Sequence, residues 1–141
     1  SETFGESEII FEQLFQDKDV ILFMECYGGK IQGGLYGGKE RLIGFDVLVN
    51  NTYLDKTIIS EIFKSFGVPT VEFTLVEDLH VAIDYVRRLA AGNTHETSKY
   101  CEKGTTPIEG LVCVPACRIY DNCGHRIIVK IKTKDLRKLA R

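Results

Sequence analysis

Apolar residues recur along this chain in two rhythms, and the changes between them mark the elements. Ser7 followed by EIIFEQLF predicts a short helix capped at Ser7, with Ile9, Ile10 and Leu14, joined by Phe11 and Phe15, on its apolar face. Asp19 to Cys26 (DVILFMEC) is a buried-type strand whose exception is Glu25. A loop rich in glycine follows, from Gly28 to Gly38, and then a second strand, Arg41 to Val49. Asn50 and Asn51 mark a turn before a helix over Thr57 to Phe66, stopped by Gly67 and Pro69. Val71 to Val76 reads as a strand. Glu77 to Ala91 reads as a helix with Leu79, Ile83, Val86 and either Leu89 or Ala90 inward, ended by Gly92. Asn93 to Pro107 is polar and predicts a surface loop. Ile108 to Val114 and Arg126 to Lys132 are two further strands joined through Asp121, Asn122 and Gly124. The fold class this predicts is α+β, with mainly antiparallel sheet and flanking helices.

A length of 141 residues predicts one domain around one core. Apolar residues at 44% and charged residues at 27% exclude a disordered tail, a coiled coil and a collagen-like chain. No run of apolar residues is long enough to span a bilayer. SETFGESEII has neither the basic nor the apolar region of a secretory leader, so an intracellular location with reduced thiols is expected. The first methionine is Met24, which suggests a piece of a longer protein.

The net charge of −2 hides an asymmetry. From Gly124 to Arg141 seven basic side chains face Asp135 alone, a local charge of +6 that leaves −8 for the rest. Such a block suits phosphate or nucleic acid, and equally a solvated surface. The five cysteines include Cys113, Cys117 and Cys123, with His125 two residues beyond the last. A zinc module on these four residues is therefore a rival reading, although the spacing is not that of the familiar zinc patterns.

Three polar features interrupt the apolar strands. Glu25 ends one and Glu109 opens another, in IEGLVCVP. Lys130 and Lys132 alternate with Val129 and Ile131 in RIIVKIK, which sends both lysines to one face. Each alone suits an exposed strand position. Together they suggest a groove for a metal-bound polyphosphate, where carboxylates hold Mg²⁺ and lysines neutralise phosphate oxygens.

These residues carry a resemblance. Glu109-Gly110-Leu111-Val112 and Arg126 to Lys132, extended by Lys134 to Leu136, resemble nucleotidyltransferase motifs IV and V of the covalent ligase superfamily. Phe23 to Gly29, continued by Ile31-Gln32-Gly33, is similar to motif III, and Leu42 to Val47 resembles motif IIIa. Thr3-Phe4-Gly5 with the Glu8-Ile9-Ile10 helix is similar to the segment that precedes motif III. The order and gaps resemble most the ATP-dependent, double-strand-sealing RNA ligases of bacteriophages and kinetoplast editing complexes, across essentially the whole chain.

The resemblance implies a nucleotidyltransferase (ATP-grasp-like) adenylation domain, with residues 1–141 as its C-terminal two-thirds. It implies that Phe45 stacks on adenine and Glu25 hydrogen-bonds the ribose. Glu109 would hold Mg²⁺ or Mn²⁺, and Lys130 and Lys132 would contact the phosphates of ATP or AMP, as the catalytic and cofactor-binding set. The implied reaction joins 5′-phosphate and 3′-hydroxyl RNA ends, in nicked duplex or paired form, through lysyl-AMP and RNA-adenylate intermediates.

One part of the pattern departs. The nucleophilic lysine of motif I belongs ahead of motif III, yet the sole lysine before Glu25 is Lys18, with no glycine following it. Lys30-Ile31-Gln32-Gly33 matches Lys-x-x-Gly in the wrong order and reads as a chance match. The expectation is a chain that is inactive alone, completed by an N-terminal segment or a partner chain carrying motif I. A truncated, non-catalytic relative that binds nucleotide or nucleic acid is the alternative. Strands stripped of neighbours would leave open edges, so marginal stability or self-association is also expected.

Overall fold

The computed structural model describes residues 2–117 and 119–139; Arg141, counted in the basic block, lies outside them. The chain divides into two compact units, Ser1–Glu72 and Phe73–Arg141, where the length alone predicts a single core. The reason is local. Each set of apolar faces is satisfied by elements close in sequence, so two small clusters form in place of one.

In the first unit, helix α1 (Glu2–Phe15) precedes strand β1 (Val20–Tyr27). A short 3₁₀ turn over Ile31–Gly34 leads to β2 (Arg41–Val49), β3 (Thr52–Tyr53) and helix α2 (Lys56–Ser65). The strands form an antiparallel sheet in the order β1-β2-β3. Asn50 and Asn51, both at positive φ, make the turn between β2 and β3 as their type favours. The core joins Phe15, Val47, Ile59, Ile62 and Phe63, with Val20, Leu22 and Val49 packed against it from the sheet. Gly67, at φ 68°, ends α2, and its N–H reaches the Lys64 carbonyl.

Helix α1 corrects two expectations. It runs through Ser7 rather than starting there. Its buried side is Phe15 with Phe11, ring centroids 4.9 Å apart, while Ile9 and Leu14 are exposed. The larger aromatic surfaces win the core.

β2 carries one residue more than its partner. Phe23 pairs with Asp46 and Met24 with Gly44, so Phe45 is skipped as a β-bulge. Gly44 also receives the incoming chain: its N–H donates to the Pro69 carbonyl at 2.8 Å, and its carbonyl accepts from Val71 N at 3.0 Å. These bonds are the whole of the strand expected over Val71 to Val76. Beyond the bridge between Gly44 and Thr70 the segment forms no ladder.

The second unit holds helix α3 (Leu79–Ala90), strands β4 (Gly110–Cys113) and β5 (Val129–Lys132), and helix α4 (Thr133–Leu139). Asp78 caps α3, its carboxylate accepting from Val81 N at 3.1 Å. The buried stripe of α3 is Ala82, Val86 and Leu89, whereas Leu79, expected inward, is exposed at the first turn. Ala82 and Val86 pack on Ile131, with Leu111, Cys113 and Leu136 around them. Helix α4 was not expected from the polar, basic sequence. Thr133 starts it, directing both its N–H (2.9 Å) and its hydroxyl (3.1 Å) to the Glu109 carbonyl, and Leu136 is its apolar contact.

Candidate functional site

Among the described residues no helix is long and apolar enough to cross a membrane. The polar residues singled out from the sequence fall into separate groups on the two units.

On the first unit, the bulge presents Phe45 beside Phe23, with ring centroids 6.2 Å apart, and Phe23 in turn lies 6.0 Å from Tyr53. Phe45 is about one-third exposed at 37%, so the group is an aromatic platform rather than part of the buried cluster around Phe63. Glu25 is exposed and pairs in register with Ile43. The alternation of β1 places it on the side of Phe23, about 7 Å further along the strand. Phe23 is tilted by 42° to Phe45 and by 36° to Tyr53, so with Glu25 the group forms an uneven, partly exposed aromatic surface with a carboxylate at its side.

Sequence reasoning missed two members of this neighbourhood. Asp46 is 4% exposed, an acid deep in an apolar strand, and Val47 N donates to its carboxylate at 3.2 Å. Lys56, at the start of α2, lies 3.8 Å from that carboxylate and donates to the Phe45 carbonyl at 3.1 Å. A buried charge needs such partners. The lysine thereby holds the bulged residue from behind. The signal available was the lone acid in RLIGFDVLV, as conspicuous there as Glu25 is in its own strand.

On the second unit, β4 and β5 pair with Gly110 opposite Lys132 and Val112 opposite Lys130. Lys130, Lys132 and Val112 are exposed on one side, and Ile131 turns inward to the α3 cluster. The predicted alternation is therefore present. Glu109 is exposed at the end of the hairpin away from its connecting loop, one residue before the partner of Lys132. An exposed carboxylate is a ligand type for Mg²⁺, which keeps waters and shares its shell with substrate phosphates. Glu109 is the residue that would hold it.

Lys18 and Lys30 are both exposed, Lys18 after α1 and Lys30 at the entry to the 3₁₀ turn. The four residues of the zinc reading do not act as one set. Cys113 packs by the α3 cluster, where burial pushes its thiol pKa up, and Cys117 is exposed. Cys123 and His125 instead group with Asp121.

The polar loop holds a further cysteine in an unusual setting. Cys101 is buried, and its sulfur faces the Thr106 hydroxyl and the N–H groups of Thr105, Thr106 and Lys103. Those donors favour the thiolate and bring the pKa from 9.0 down to about 6, with burial opposing in part. Folding is then stabilised by the thiolate fully above pH 9.0, and the contribution is lost as pH falls through about 6. We expect the stability difference between the wild-type chain and Cys101→Ala, measured by denaturant unfolding, to widen in favour of wild type across that window. A difference that stays flat with pH would exclude a thiolate held in this way.

No protein-family model matches the chain, and no curated protein matches it significantly.

Proposed function

We propose that the chain is the nucleotide-handling part of an ATP-dependent RNA ligase, contributing binding groups but not the nucleophilic lysine. The observation that supports this most is the β4–β5 hairpin, where Lys130 and Lys132 share an exposed face and Glu109 stands at the open end. Two ammonium groups fixed on a strand neutralise phosphate oxygens without having to be ordered first. Glu109 supplies the carboxylate for a divalent ion. That ion, when bound, offsets phosphate charge during transfer. On the first unit, taken by itself, the exposed Phe45 ring is of the kind that stacks on a base and Glu25 of the kind that accepts from hydroxyls.

The reading requires measurable ATP binding and no covalent product. Incubation with ATP and Mg²⁺ is expected to leave the intact mass unchanged, while titration calorimetry detects ATP. Lys130→Ala and Lys132→Ala are each expected to weaken that binding about tenfold, the scale of one charge-assisted phosphate contact. Adenosine binding to the first unit is a separate readout, and Phe45→Ala should cost it about 1–3 kcal/mol, as loss of a base-stacking surface does. A covalent AMP adduct would place a working nucleophile in this chain, with Lys30 the first to test. Equal ATP affinity in the wild type and the Lys130→Ala/Lys132→Ala double variant would remove the reading altogether.

A further inference from the structure

We propose that the loop between β4 and β5 carries a binding site for a single divalent transition-metal ion, of the class of Zn²⁺, formed by Asp121, Cys123 and His125. The ligand atoms of these three residues lie within 4.8 Å of one another. The loop is a tight hairpin of its own: Tyr120 bridges to Arg126, and Asp121 N donates to the His125 carbonyl at 2.8 Å. One carboxylate oxygen of Asp121 takes the N–H groups of both Cys123 and His125 at 2.8 Å, which fixes the aspartate and leaves its other oxygen facing the imidazole.

That second oxygen is hydrogen-bonded to His125 Nδ1 at 3.1 Å, a bond that an ion bound between them would replace, with any proton on Nδ1 released to solvent. Two ligands at roughly 2.0–2.1 Å from a tetrahedral Zn²⁺ stand about 3.3 Å apart, so this pair is close to bridging distance before any ion arrives. Cys123 completes the set by a small movement of an exposed side chain. The donor types agree with the metal class. Thiolate and imidazole select zinc-like ions over Mg²⁺ or Ca²⁺, and one carboxylate with one thiolate balances a charge of +2. Three protein ligands leave the fourth position to water or to a group brought by a ligand.

This set differs from the cysteine-rich one suggested by spacing alone, since Asp121 takes the place of Cys113 and Cys117. It also stands independently of the ligase reading.

The test uses the whole chain, purified in the presence of reductant and stripped of metal. Zn²⁺ is expected to bind at one equivalent, and Co²⁺ to give a tetrahedral spectrum with a thiolate-to-cobalt charge-transfer band. Cys123→Ser should abolish that band, and His125→Ala and Asp121→Asn should each weaken Zn²⁺ at least tenfold. The asparagine keeps an oxygen for the two N–H groups, so it tests the ligand without removing the turn. Cys113→Ser and Cys117→Ser should leave both readouts unchanged. No uptake by the wild-type chain, uptake unchanged in Cys123→Ser/His125→Ala, or a band lost with Cys117 and kept in Asp121→Asn would each overturn the proposal.

Discussion

Gly44→Ala is expected to destabilise the first unit by about 3 kcal/mol or more, the upper end of what overpacking a core costs. A Cβ at this position would stand 2.5–2.6 Å from the Phe63 ring, and Phe63 is fully buried at the centre of its cluster. The ring cannot swing aside, because Val47, Ile59, Ile62 and Phe15 share its cluster. Gly44 cannot retreat either, being bonded on one edge to Pro69 and Val71 and paired on the other with Met24. Because a small domain has only about 5–15 kcal/mol in total, we expect loss of the cooperative melt of this unit or a large fall in its midpoint. Phe63→Leu should be destabilising alone yet recover part of the loss in the double variant, since the two changes share one space. Strict additivity in that cycle would show that the contact is not the cause.

Gly110→Ala is expected to be at least as severe for the second unit, for a different reason. There the added Cβ would lie 2.0 Å from the Ile131 carbonyl oxygen and 2.9 Å from Lys132 Cα. These are main-chain atoms of the paired strand, so no rotamer change relieves the clash. The pairing of Gly110 with Lys132 must open, and with it the bonds from Thr133 to the Glu109 carbonyl that start α4. Hydrogen exchange should then rise at Leu111, Ile131 and Thr133 while the first unit keeps its protection. Protection retained at Ile131 would mean that the hairpin adapts. Lys132→Ala, which removes only an exposed side chain, should leave exchange unaltered and separates loss of pairing from loss of charge.

Most of the elements were legible from periodicity, because strands such as VILFMECY and RLIGFDVLV are longer and more apolar than any competing pattern. The failures have physical sources. Val71 to Val76 has strand-like residues, but among the described residues it lies beside no paired strand, the bridge of Thr70 to Gly44 being isolated, so propensity gave no ladder. Helix α4 hides in a basic run because one threonine and one leucine, Thr133 and Leu136, anchor it. The alternation of Lys130 and Lys132 was legible because period-two facing depends on backbone geometry alone. The grouping of Asp121 with Cys123 and His125 was not, since an aspartate that turns back onto its own loop looks like any other turn residue.

The skipped position in β2 separates what the sheet needs from what its surface displays. Asp46 already pairs with Phe23 and Gly44 with Met24, so a chain without Phe45 has an uninterrupted ladder available to it. The ladder itself therefore does not require the aromatic residue, which the strand carries as one extra position. A lineage could acquire or shed the platform in a single event and keep the rest of the strand in phase. A designer could likewise exchange this one residue for another chemistry and leave the fold to its neighbours.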